Sequence, residues 1–118
     1  MAGTAPDFLV FLETLRKGGS PILQTQTVHS MMSNQIGNLR IDVEPTPSWG
    51  FGFGGAVLLD PEMAQTPQGR GTFKWGGIYG NHWYVDRENS LSVVTLTNTA
   101  VEGLAGRTVT DLRNAVYG

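Results

Sequence analysis

The chain has 118 residues, enough for one domain with a modest core, and its formal net charge of −2 argues against nucleic acid, which calls for a basic face. Charged residues make up only 15% against the ~25% of ordinary domains, so part of the surface is expected to be covered by a partner, a second copy or a missing half. No cysteine is present, which removes disulfides and thiolate chemistry, and no apolar run is long enough to span a bilayer.

Thr4 opens the first predicted helix: its hydroxyl can cap, Pro6 suits the first turn, and Asp7 completes a pattern like a capping box. Phe8, Phe11, Leu12 and Leu15 then fall on one helical face, and Gly18-Gly19 ends the run. A second, weaker helix spans about Thr25 to Ser33 with Val28, Met31 and Met32 turned inward; methionines so placed read as core filling. Residues 34–48 read as a loop holding Pro45 and Pro47.

From Trp49 to Leu59 the pattern becomes strand-like, with Trp49, Phe51 and Phe53 alternating with glycines before the apolar run Ala56 to Leu59. Asp60-Pro61 starts another loop. Strands are expected at about 72–77, 82–86 and 91–98, with Arg87 to Ser90 as a hairpin turn that Asp86 initiates. Leu91 and Val93 face one way and Val94 and Leu96 the other, so the last strand reads as central, covered on both sides. A helix from about Ala105 to Tyr117, with Val109, Leu112 and Val116 as its stripe, closes the chain. The order predicts a single α+β domain over 1–118: an antiparallel sheet of about three to four strands, flanked by N-terminal helices and a C-terminal helix.

The stretch from Phe73 to Asp86 is where chemistry is expected. Gly76-Gly77 interrupts an aromatic strand, and paired glycines there either make a bulge for close packing or clear a path to backbone N–H donors, the material of an oxyanion hole. His82 and Trp83 read as packing residues, and His29 and His82 lie too far apart in sequence to suggest a zinc site. No metal and no cofactor are expected. A signal core is also missing from the N-terminus, which favours the cytoplasm without fixing the compartment.

Read together, Gly71 to Gly80, Trp83-Tyr84-Val85-Asp86, Leu96 to Ala100 and Leu112 to Tyr117 resemble the C-terminal part of the serine β-lactamase-like hydrolases, and its carboxylesterase branch above all. The opening Gly3 to Phe8 looks like that family's helix after its long middle domain. The likeness implies a partial β-lactamase/transpeptidase-like fold and an active site of three motifs, of which only the third is present, as Trp75-Gly76-Gly77. By this resemblance the backbone N–H of Ile78 is an oxyanion donor, and Trp75, Gly76, Gly77 and Tyr79 line the substrate site. The Ser-x-x-Lys motif is absent: none of Ser20, Ser30, Ser33, Ser48, Ser90 or Ser92 has a lysine three residues later. Thr14-Leu15-Arg16-Lys17 matches in letters at a helix end, and Tyr79-Gly80-Asn81 belongs to the third motif's own strand end.

Two functional expectations follow. One is an incomplete serine hydrolase for small esters or lactams, needing a complementary N-terminal half for its nucleophile. The other is a free-standing, non-catalytic small-ligand domain that pairs with itself. Neither involves nucleic acid or a membrane. The strands that complete the family's sheet lie upstream of Met1, so an open sheet edge is expected.

Overall fold

The computed structural model describes residues 3–41 and 46–118. Helix α1 (Ala5–Arg16) begins as its sequence requires: the Asp7 N–H donates to Thr4 Oγ1 at 3.3 Å, and the Thr4 hydroxyl donates back to Asp7 Oδ2 at 2.6 Å. Gly18 and Gly19 follow it in left-handed conformations, φ 105° and 98°, which release the chain toward α2 (Thr25–Met31). A side chain at Gly19 would also run into Val28, its Cβ falling 2.5 Å from Cγ2, so this turn is set by packing as well as by φ. The Thr14 to Lys17 tract lies on the helix: the Thr14 hydroxyl donates to Val10 O, while Arg16 and Lys17 both pair with Glu13. Arg16's hydrogen bonds hold the Glu13 carboxyl at about 2, well below its usual range.

Five strands, β1 (Trp49–Phe51), β2 (Ala56–Leu58), β3 (Phe73–Gly76), β4 (Asn81–Asp86) and β5 (Leu91–Leu96), form one antiparallel sheet in chain order. The α+β class is as expected, but the sheet has five strands and not three or four. The stretch 49–59 is a hairpin: Gly52 N–H bonds Gly55 O at 2.8 Å, and Gly54 takes φ 94°. Nor is β5 central. Among the described residues it pairs with β4 alone, and its two apolar faces reflect α1 lying over one of them. A short α3 (Glu102–Ala105), which is not among the expected elements, precedes the expected final helix, α4 (Arg107–Tyr117), and the two are parted where Gly106 turns extended at ψ 163°. Of the expected loop over 34–48, residues 42–45, with Pro45, lie outside the described residues.

Strand alternation divides the core. Val57, Phe73 and Val85 stand side by side in register on one face, and with Leu12, Leu15, Val28 and Met32 they make the main buried cluster. Burying each large apolar side chain contributes about 1.5–3 kcal/mol, so this face carries most of the stabilisation. The ring of Trp83 bridges to α1, meeting Phe73 at 5.4 Å and Phe8 at 5.9 Å, both edge-on. On the other face Trp49, Ala56 and Leu58 form a second cluster, and the Lys74 ammonium sits 3.9 Å above the Trp49 ring.

Asp86 does more than start a turn. Fully buried, its carboxylate accepts from Gly69 N–H (2.9 Å), Asn89 N–H (3.0 Å), Asn89 Nδ2 (2.8 Å) and the Tyr117 hydroxyl (2.5 Å). It thereby ties the 60–72 loop, the β4–β5 turn and the end of α4 together, although α4 itself buries no residue completely. Burial pushes the carboxyl up, but these donors outweigh it and hold Asp86 below its ordinary value. Burial and the nearby carboxylate push Tyr84 up to about 12, and they raise Tyr117 as well. Because the folded value is depressed, the clamp's stabilisation is complete above the unfolded value near ~3.9 and is lost as pH falls through the folded one. Asp86→Asn is expected to cost about 1–3 kcal/mol at pH 7. In urea unfolding at pH 7 and pH 3, the parent should lose more stability between the two than the variant.

Candidate active site

The Trp-Gly-Gly tract runs off the end of β3 into the tip of the β3–β4 hairpin. Trp75 pairs across from Trp83, and Gly76 from His82. The chain then reverses through residues 77–80, where Gly77 N–H bonds Asn81 O at 2.9 Å and Gly80 N–H bonds Gly77 O at 3.0 Å. Ile78 and Tyr79 occupy the two central positions of this turn and stand out from the surface, 56% and 83% exposed. Among the described residues, the Ile78 N–H has no acceptor within the chain, whereas its carbonyl accepts from Val101 N–H. The Tyr79 N–H likewise has no acceptor among the described residues, so both central N–H groups of the turn are open to an external acceptor, which an oxyanion site requires.

The expected site residues are therefore only partly assembled. Ile78 and Tyr79 share the turn. Trp75 is half-buried and committed edge-on to Phe51, ring centres 5.0 Å apart at 85°, so it forms a wall of the second core cluster. Tyr79-Gly80-Asn81 is the turn itself.

Both glycines answer to packing. A Cβ on Gly76 would fall 2.1 Å from Gly103 O, and one on Gly77 would fall 2.0 Å from Asn81 Oδ1. Gly103 is equally constrained, since its own Cβ would lie 2.1 Å from Asn81 O. Backbone thus meets backbone where α3 crosses the hairpin, and His82 Nδ1, buried below, lies 3.2 Å from Gly103 O. Gly103 and Val101 escaped sequence reasoning. A glycine in a short C-terminal helix gives no hint of contact with a glycine far back in the chain.

Beside the hairpin lies a groove of about 390 Å³, lined by Phe8, Phe11, Trp83, Val94 and Leu96 among others. It opens next to β5, whose outer edge pairs with no strand among the described residues. Among those residues, no helix is long and apolar enough to cross a membrane.

This architecture, a meander sheet with helices at both ends of the chain and a third strand that runs out into paired glycines, is that of the β-lactamase/transpeptidase-like hydrolases. A family model described as Beta-lactamase matches residues 1–117, and the chain belongs to that family. Esterase EstB of Burkholderia gladioli is 44% identical over 117 residues, 99% of this chain but 29% of that protein. Protein Rv1367c of Mycobacterium tuberculosis is 30% identical over 105 residues, 79% of this chain and 26% of its own length. Among solved structures, EstCE1, described as a hydrolase with promiscuous acyltransferase activity, superposes with a TM-score of 0.88 at 49% identity, covering 98% of this chain and 30% of that one. Unliganded simvastatin synthase from Aspergillus terreus shares the fold at a TM-score of 0.74 and 18% identity, over 93% of this chain and 33% of that one. The chain thus spans under a third of the length of these relatives.

The two glycines are expected to differ. Gly76→Ala meets an immovable carbonyl and should cost about 1–3 kcal/mol or more, whereas Gly77→Ala meets the end of an exposed side chain that can swing away. Urea unfolding of the two variants checks the order; equal losses would remove α3 packing as the reason for Gly76.

Proposed function

We propose that this chain is the acceptor side of an esterase-type serine hydrolase and is not catalytic alone. The unpaired Ile78 N–H at the tip of the Trp-Gly-Gly hairpin, in a chain of the Beta-lactamase family, carries this reading. A complementary segment supplies the serine and its base. The serine oxygen adds to the ester carbonyl, negative charge develops on the carbonyl oxygen, and the Ile78 N–H hydrogen-bonds it alongside a donor from the complementary segment. Collapse expels the alcohol and leaves an acyl-enzyme, which water or a second alcohol then releases. Removing one such donor costs roughly 3–4 kcal/mol of transition-state stabilisation, so the donor matters, but without the nucleophile it has nothing to stabilise.

Small esters, and lactams as cyclic amides open to the same acyl transfer, suit a site whose rim is formed by Ile78, Tyr79 and Trp75. The exposed apolar side chains of Ile78 and Tyr79 beside the donor support an apolar substrate. The names of the relatives, an esterase and a hydrolase with acyltransferase activity, favour the ester arm. The groove along Phe8, Phe11, Trp83 and Val94, with the adjoining outer edge of β5, is where the complementary segment docks, adding a strand and filling the apolar space.

The same open edge supports a second reading, a self-paired, non-catalytic domain that keeps a small-ligand groove. Sedimentation separates them: a stable oligomer without hydrolysis favours self-pairing.

Treated with a fluorophosphonate, the chain alone is expected to keep its intact mass. Mixed with the N-terminal two-thirds of the esterase relative, it should restore ester turnover, with the label on the added segment. A stoichiometric adduct on this chain by itself would overturn the assignment.

A further inference from the structure

The tip of the β3–β4 hairpin is a type I turn. Gly80 N–H donates to Gly77 O at 3.0 Å, which closes four residues with Ile78 and Tyr79 at the centre. The described non-glycine residues with positive φ are Gln65, Ser90 and Val101, so Ile78 and Tyr79 both have negative φ, which excludes types II, I′ and II′. Gly80 follows at φ 108°, and Gly77 N–H reaches past it to Asn81 O at 2.9 Å, as in a three-residue hairpin loop with a glycine bulge. A type I turn is close to one turn of helix, where successive N–H groups point one way and their carbonyls the other. Both carbonyls ahead of the two central amides are taken: Gly77 O by Gly80 N–H, and Ile78 O by Val101 N–H.

In a planar trans peptide the N–H lies opposite its carbonyl. The Gly80 bond therefore sets the direction of the Ile78 N–H, and the Val101 bond sets that of the Tyr79 N–H, each through its own peptide. Val101 makes its bond at φ 74° and ψ −28°, a left-handed backbone that a branched Cβ disfavours. Its carbonyl accepts from Leu104 N–H and Ala105 N–H, both at 3.0 Å, so α3 offsets that strain. We propose that the Tyr79 N–H is a second catalytic donor, with Val101 as its positioning residue; this rests on the reading of Ile78 given above. Neighbours in one turn and aimed the same way, the two amides meet the same negative charge as it develops on the ester carbonyl oxygen. Donors fixed before the reaction need no reorganisation during it, which separates them from solvated amides. The chain thus brings two of them, and the donor of the complementary segment adds to the pair.

The test uses the reconstituted pair with 15N in this chain only, treated with a fluorophosphonate. The serine oxygen bonds phosphorus, fluoride leaves, the serine proton passes to its base, and the phosphonyl oxygen stands where the carbonyl oxyanion forms. The Ile78 and Tyr79 amide protons should both move downfield, as donors do on gaining a charged acceptor. Movement of Ile78 without Tyr79 overturns the proposal and leaves the Ile78 reading standing. A labelled pair in which neither moves, or a pair that takes no label, overturns both. An ester in place of the Ala100–Val101 amide removes the Val101 N–H and keeps its side chain. It should abolish the Tyr79 shift, keep that of Ile78, and lower kcat about tenfold or more with little change in KM. A merely structural role would disturb both amides together, and a Tyr79 shift that survives the ester overturns the proposal. In the parent chain by itself, the Val101 amide should exchange at least about tenfold more slowly than an unstructured amide. An unprotected Val101 amide there overturns the proposal with no variant or partner needed.

Discussion

The space beside Gly76 at the end of β3 is taken by the carbonyl oxygen of Gly103, 2.1 Å from where a Cβ would be, and Gly103 in turn lies against the Asn81 carbonyl. Much of what surrounds the hairpin tip depends on this approach of two backbones. It lets α3 lie across the hairpin, which brings Val101 to the Ile78 carbonyl and Gly103 O to His82. It also explains why a strand of large aromatic residues abruptly loses its side chains. Of the two readings open to the glycine pair, Gly76 meets the packing one and is first of all a seat for a helix. The two roles are compatible, because α3 bonds the Ile78 carbonyl and leaves the Ile78 N–H open.

At its other end the sheet is closed by a polar lock. Asp86 terminates β4, and its carboxylate gathers donors from Asn89 in the adjoining turn and from two segments remote in sequence, Gly69 and Tyr117. The buried carboxylate would be costly without donors, so its partners stabilise the fold by pairing it. The helix that follows has no fully buried residue, and Tyr117, stacked on Tyr84 at 6.4 Å, anchors its last turn. The hairpin tip and the Asp86 lock hold α3 and α4 at opposite ends of the same strand pair. This leaves β5 and the groove under α1 as the less enclosed side of the molecule.

Much of the fold was legible in the chain because it is written in local rules. The Thr4–Asp7 cap, the stripe of Phe8, Phe11, Leu12 and Leu15, and the double glycine at 18–19 specify α1 without reference to anything distant. The hairpin between β4 and β5 is likewise local. Where the reading failed, the deciding partner was far away or the pattern was ambiguous. Residues 49–59 alternate like one strand, yet the glycines between Phe51 and Ala56 fold them into two. Both faces of β5 are apolar, which suits a central strand, but apolar content says nothing of how many neighbours a strand has within the chain. The candidate site was half legible: Trp75 to Tyr79 stood out by composition and by family likeness, whereas Val101 and Gly103 carried no local signal.

By itself the sequence determined the start of α1, the apolar faces, the family, and the absence of a Ser-x-x-Lys nucleophile motif from this chain. Those properties follow from residue type and spacing alone. Tertiary structure decided what Gly76 is for and which carboxylate locks the C-terminal helix. Each of these is a distance between segments tens of residues apart, and such distances are fixed only when the sheet and its helices pack together.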